Sequence, residues 1–152
     1  AVLAYVPDDP LYQYQWNFHR LNMERAWDIN RGGDSALTVA VIDSGLAYID
    51  QGAFKQAPDL AGATFVAPHD FIWDDETPTD LDGHGTHVAG TIGERTGNGI
   101  GAAGMAFNVA LVSAATLGAL LLPPSGRSTA TMAALAVALA ALAVVSARPR
   151  SR

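Results

Sequence analysis

The sharpest pattern in the chain is L-T-V-A-V-I, residues 37–42, a short uncharged run rich in β-branched side chains. Such a run, bounded by turn residues, reads as a strand buried on both faces of a parallel sheet. It stops at Asp43-Ser44-Gly45. A second run of the same kind spans Ala106–Val112. Between them, His84 to about Gly93 places Val88, Ala89 and Ile92 on one side of a predicted helix that opens at a histidine bracketed by Gly83 and Gly85. Strand, crossover helix, strand is the parallel α/β unit. Upstream, Asn22–Ile29 reads as a short helix capped by Asn22, with Met23, Ala26 and Trp27 on one face. Residues 1–19 read as an extended arm, Arg31–Ser35 as a turn, and the proline- and acid-rich stretch Pro58–Gly83 as irregular chain.

After Val112 the pattern changes. Residues 113–152 hold twelve alanines, seven leucines, four arginines and no acid. Ala130–Ala147 is an apolar run of eighteen flanked by Arg127 and Arg148, long enough to be weighed as a membrane span. Alanine inserts into membranes poorly compared with leucine but has the highest helix propensity, so an alanine-rich helix competes with that reading. A third reading is a shifted reading frame in GC-rich coding DNA, which yields this residue mix. The chain therefore divides into an arm and short helix over 1–30, an α/β unit over 31–112, and a divergent, helical or disordered tail over 113–152.

Composition narrows the field. Hydrophobic residues make up 49% of the 152 and charged residues 16%, enough apolar surface for one folded domain. Without cysteine, disulfides, thiol catalysis and thiolate metal sites are excluded. The net charge of −6 is unevenly spread: all fifteen acids lie at or before Glu94, and five of the nine basic residues follow it. No basic patch interleaved with aromatics points to nucleic acid. The first residue is not methionine and no basic-then-apolar leader precedes the arm, which suits a mature chain or a fragment.

The chemistry concentrates at two points. Ligands of open α/β sheets collect beyond the carboxyl ends of the strands, where Asp43 sits; by itself, an aspartate there also suits a turn that closes the strand. His84, in D-G-H-G-T-H-V-A-G-T, has room around it, and a carboxylate on its far nitrogen would fix its tautomer and stabilise the imidazolium. A lone histidine would be structural. Together, V-A-V-I-D-S-G and H-G-T-H-V-A-G-T resemble the aspartate and histidine signatures of the subtilisin-like serine proteases, the subtilases. The likeness covers residues 8 to 112, and P-D-D-P-L-Y, Q-W and the acidic loop are most similar to its thermitase-like branch.

The resemblance implies a partial subtilisin-like parallel sheet with flanking helices, ending before the serine-bearing half. It implies that Asp43 orients the imidazole, that His84 is the general base, and that His87 lies outside the relay. It implies a secreted serine endopeptidase acting on protein or peptide substrates. The family's G-T-S-M-A segment does not occur: only 68 residues follow His84, and Thr131-Met132-Ala133-Ala134 carries threonine where the serine belongs. The resemblance also implies structural calcium, held by Asp9, Asp59, the Asn98 side chain and the Ile100 and Ala102 carbonyls. A second ion at Asp70, Asp75 and Thr77, within the run that includes Asp74, Glu76, Asp80 and Asp82, competes with a plain solvated acidic loop. The expectation is therefore a subtilase by descent that is inactive as given. Two alternatives stand beside it: a calcium-stabilised, catalytically dead binding module whose apolar tail docks on a partner or membrane, and an enzyme completed by another chain.

Overall fold

The computed structural model describes residues 4–34 and 36–115. Two short helices, α1 (Trp16–Leu21) and α2 (Met23–Ile29), lead into strand β1 (Thr38–Asp43). The acid-rich segment contributes two-residue strands, β2 (Thr64–Phe65) and β3 (His69–Asp70). Helix α3 (His84–Gly93) and strand β4 (Ala110–Ala115) complete the described fold.

Every strand pairs in parallel with β4. β1 lies along one side of it from Thr38 opposite Ala110 to Asp43 opposite Ala115. β2 and then β3 follow one another against the same strand, meeting Ala110–Leu111 and Ala114–Ala115. Parallel pairing needs a crossover, and α3 supplies it between β1 and β4. The helix buries Gly85, Ala89, Gly90 and Gly93. This face has almost no side chains, so the helix backbone lies close on the sheet. Val88 and Ile92, expected on the apolar side, pack at the edge of the same core as Val41, Leu46, Leu60 and Leu111.

A second core joins the arm to the loop before β4. Tyr12, Phe18, Trp27 and Ala103 are buried there with Tyr5, Met23, Met105 and Phe107 around them. Burying side chains of this size contributes roughly 1.5–3 kcal/mol each. Polar links set the register: the Gln15 side chain both donates to the Ala103 carbonyl and accepts from its amide, each at 2.8 Å, and Trp27 Nε1 donates to Met105 O at 2.9 Å.

Several expectations are corrected. The arm is not extended throughout, because Tyr12–Tyr14 forms a helical turn and Trp16–Leu21 a helix. Tyr12 and Phe18 turn into the second core while Tyr14 and Trp16 stay exposed, a one-sided pattern that selects a helical path. Asn22 makes no side-chain cap; it sits in the left-handed region (φ 59°) as the joint between α1 and α2. The second strand begins at Ala110 rather than Ala106, because the amides of Met105, Ala106 and Phe107 are already bonded to Thr91, Ile92 and Arg31 carbonyls. Among the described residues, β1 is covered on one face only: Val41 is buried, while Thr38 and Ala40 are exposed. No described helix is long and apolar enough to cross a membrane. The run Ala130–Ala147 and the rest of the tail from residue 116 lie outside the described residues.

Candidate active site

Asp43 is the last residue of β1 and His84 the first of α3. Because the helix lies flat on the strand, the two side chains meet at the carboxyl end of the sheet. His84 Nδ1 is 2.7 Å from Asp43 Oδ1, across 41 residues of sequence. The approach depends on Gly85, where a Cβ would stand 2.2 Å from the Gly45 carbonyl oxygen and 3.2 Å from Asp43 Cβ. Gly45 itself turns away from β1 at φ +121°, a conformation open to glycine.

The environments of the partners differ. The Asp43 side chain is 13% exposed and that of His84 59%, so the carboxylate is walled in and the imidazole presents its Nε2 side outward. Burial pushes the Asp43 carboxyl up, but hydrogen bonds from His84 and the Ser44 amide outweigh it and hold the group below the usual carboxylate range. Hydrogen bonding to Asp43 and its negative charge raise His84 above the ordinary histidine value, and Asp82 and Asp80 add smaller contributions. Such a pair keeps the carboxylate charged and favours the imidazolium. Among the described residues, His84 has no hydroxyl partner. His87 is exposed on the helix and its amide bonds back to Gly83.

The residues expected around calcium are also brought together. Asp9, only 4% exposed, accepts from the Gly97 and Asn98 amides at 2.8 and 3.1 Å. Asp59 accepts from the Asn98 side-chain amide and the Ala102 amide, each at 2.8 Å. Asn98 Oδ1, the atom expected to face a metal, instead accepts from the Ile100 amide. Glu94, absent from the expected set, stands close by: burial first, then the charges of Asp59 and Asp9, push it up to about 7. None of these three carboxylates is in an ion pair among the described residues.

The second acidic group is only partly gathered: Asp70 and Asp75 pair through their backbones, but their carboxylates bond to different partners. Asp70 is buried and accepts from the Ile72 and Trp73 amides, whereas Asp75 bonds to Thr77. Asp74 is almost fully exposed, 3.5 Å from His69 Nε2. Asp80 belongs elsewhere, with Ser44 and the first turn of α3. Among the described residues, no three His, Cys, Asp or Glu side chains converge as a metal group.

Comparison with known proteins gives this arrangement its context. The model of the subtilase family (Peptidase_S8) matches residues 34–147, three quarters of the chain. The chain belongs to the subtilase family. It is 38% identical over 115 residues to the thermophilic serine proteinase of Bacillus sp. (strain AK1), covering 75% of this chain and 26% of that protein. With thermitase of Thermoactinomyces vulgaris it is 35% identical over 138 residues, 90% of this chain and 44% of thermitase. The serine protease of Aeromonas sobria, solved with its chaperone, superposes with a TM-score of 0.61 at 26% identity, over 76% of this subtilase and 21% of that chain. A protease of Pseudoalteromonas arctica PAMC 21717 superposes with a TM-score of 0.58 at 27% identity, over 72% and 38%. This subtilase thus spans less than half the length of the relatives it matches. The match extends past the stretch from residue 8 to 112 that carries the two motifs.

Proposed function

We propose that this chain is the amino-terminal part of a secreted serine endopeptidase, in which His84 is the general base and Asp43 orients it. The observation that carries the reading is the 2.7 Å bond between His84 Nδ1 and Asp43 Oδ1, which leaves Nε2 toward solvent. In a relative with the nucleophilic serine, Nε2 would take the hydroxyl proton and later pass it to the leaving amine. Asp43 would hold Nδ1–H and stabilise the imidazolium without itself taking the proton. Secretion is supported by likeness to proteins such as the halolysin-like extracellular serine protease Nep of Natrialba magadii. The 152-residue chain by itself is proposed to be inactive.

The pairing is tested by titrating His84 by NMR in the native chain and in Asp43→Asn. A raised histidine pKa contributes stability that is complete below the unfolded value and lost as pH rises through the folded one. A lowered aspartate pKa contributes stability present above its unfolded value and lost as pH falls through the folded one. The pair therefore stabilises the fold between the lowered Asp43 value and the raised His84 value. Asp43→Asn is expected to bring the His84 midpoint down toward that of an ordinary histidine and to flatten this pH dependence. An unchanged midpoint would remove the basis of the assignment.

Calcium fits the donor set at the arm–loop junction: two carboxylates, an amide and backbone carbonyls on glycine-rich irregular chain. Gly101 leaves the space that the Asp59 carboxylate needs, since a Cβ there would overlap Asp59 Oδ2. Asp9, Asp59, Asn98 and the carbonyls of Ile100 and Ala102 would hold the ion, with Asn98 turning its oxygen inward. Bound there, calcium would supply the positive charge that the paired carboxylates lack. At a hundredfold excess over Kd, binding to the folded chain alone stabilises by about 2.7 kcal/mol. Calcium is therefore expected to raise the Tm of the native chain and not that of Asp59→Asn. An equal response from both would refute the site.

A further inference from the structure

Asp43 and His84 lie on separate elements, and the exposed His84 ring has little packing to fix its direction. Its placement must come from the backbone on either side. One carboxylate gathers those flanks. Asp80 Oδ1 accepts from Ser44 Oγ at 2.8 Å, from the Asp82 amide at 3.0 Å and from the Gly83 amide at 2.8 Å. Its Oδ2 accepts from the Thr86 amide at 2.8 Å and from the Thr86 hydroxyl. Ser44 Oγ in turn accepts from the Gly85 amide at 2.9 Å. Asp80 thus reaches the residue after Asp43, the residue before His84 and the residue two beyond it.

We infer that Asp80 is a positioning residue for the Asp43–His84 pair, acting through Ser44 and the first turn of α3. The inference rests on the pair being the working dyad proposed above. Five donors on one half-buried carboxylate fix its orientation, and charge-assisted hydrogen bonds of this kind are about twice as strong as neutral ones. Burial works against its ionisation, but the bonds from Thr86, Gly83 and Ser44 outweigh burial and keep the group charged. Without it, the Gly83 and Thr86 amides lose their acceptor and the Ser44 hydroxyl is released. The hydrogen bonds left between the turn after β1 and the first turn of α3, among the described residues, would then be the dyad bond, the Ser44–Gly85 contact and the Ala47 amide on the Thr86 hydroxyl.

Asp80 also contributes charge near His84, together with Asp43 and Asp82. The test must therefore separate charge from position. It compares the low-field Nδ1–H resonance of His84 in the full chain with that in Asp80→Ala, Asp80→Asn and Ser44→Ala, using the indole signal of buried Trp27 as the control for folding. Asp80→Ala and Asp80→Asn remove the same charge. Asparagine keeps an oxygen for Ser44, Asp82 and Gly83, whereas alanine keeps none. Loss of the resonance in Asp80→Ala, its retention in Asp80→Asn, and a shift in the same direction as Asp80→Ala for Ser44→Ala are the expected results. Ser44→Ala leaves the Asp80 bonds to α3 in place and removes both the Asp80 cross-link and the acceptor of the Gly85 amide, so it reads the Ser44 bridge even if Asp80→Ala fails to fold. Equal effects of alanine and asparagine, or a native resonance in Ser44→Ala, would overturn the inference. Asp43→Asn separates the two claims: a native His84 signal there defeats the dyad itself, whereas a lost signal there with a native one in Asp80→Ala defeats only the role of Asp80.

Discussion

Gly85→Ala is expected to cost more than about 3 kcal/mol and to abolish the Asp43–His84 hydrogen bond, at the upper end of overpacking penalties. The added methyl would lie 2.2 Å from the Gly45 carbonyl oxygen and 3.1 Å from the Gly45 nitrogen. Both are backbone atoms and cannot rotate away. The helix would have to lift, but Ala89, Gly90 and Gly93 are buried further along it, so lifting the first turn unseats the rest. For a fold whose total stability is of the order of 5–15 kcal/mol, that loss is large. Gly83→Ala is the comparison. Gly83 has φ +96° but nothing within 4 Å of the added methyl, so its cost is backbone strain alone, about 1–2 kcal/mol. Urea unfolding of the two variants measures the difference. A Gly85→Ala midpoint equal to that of Gly83→Ala would show that α3 does not sit as close to β1 as the dyad requires.

The same contact explains what was legible in the sequence. The bounds of α3 agree with the expected helix, and β1 is displaced by one residue. Both are local patterns: β-branched residues for a strand, helical spacing behind a glycine-bracketed histidine. The join between them was legible only through the resemblance of the two motifs to the subtilase signatures; Gly83 and Gly85 by themselves indicated only room beside His84. What was not legible depends on partners distant in sequence. The aromatic arm lacks a helical stripe, yet Tyr12 and Phe18 turn inward once Trp27 and Phe107 are placed beside them. The start of β4 is set by amides that bond to the end of α3 and to Arg31. Asp80 looks like one more charge in an acid-rich loop, and its role depends on a serine 36 residues upstream. Glu94 gives no sign in sequence that it will face Asp59 and Asp9.

The largest effect expected is on turnover: the 152-residue chain should hydrolyse peptides at least about 10⁶-fold more slowly than an intact subtilase, the cost of losing the nucleophilic serine in a subtilisin. No other described serine substitutes. The Ser44 hydroxyl donates to Asp80 and accepts from the Gly85 amide, and the hydrogen bond of the His84 ring goes to Asp43 rather than to it. Ser113 is 2% exposed within β4, with no hydrogen-bond partner for its hydroxyl. A nucleophile needs both reach to the imidazole and access to substrate, and Ser113 lacks the second. Without a hydroxyl to deprotonate, His84 can exchange a proton with water but the pair cannot form an acyl-enzyme. A fluorophosphonate probe is therefore expected to leave the chain unlabelled at a concentration that labels thermitase fully. Labelling at any serine, mapped by mass spectrometry and abolished by His84→Ala, would instead identify a nucleophile that His84 activates. The dyad bond joins Asp43 and His84 without any hydroxyl, on elements held by β4 and the core around Leu111, so the expected loss of activity is a loss of chemistry rather than of the pair that holds the base.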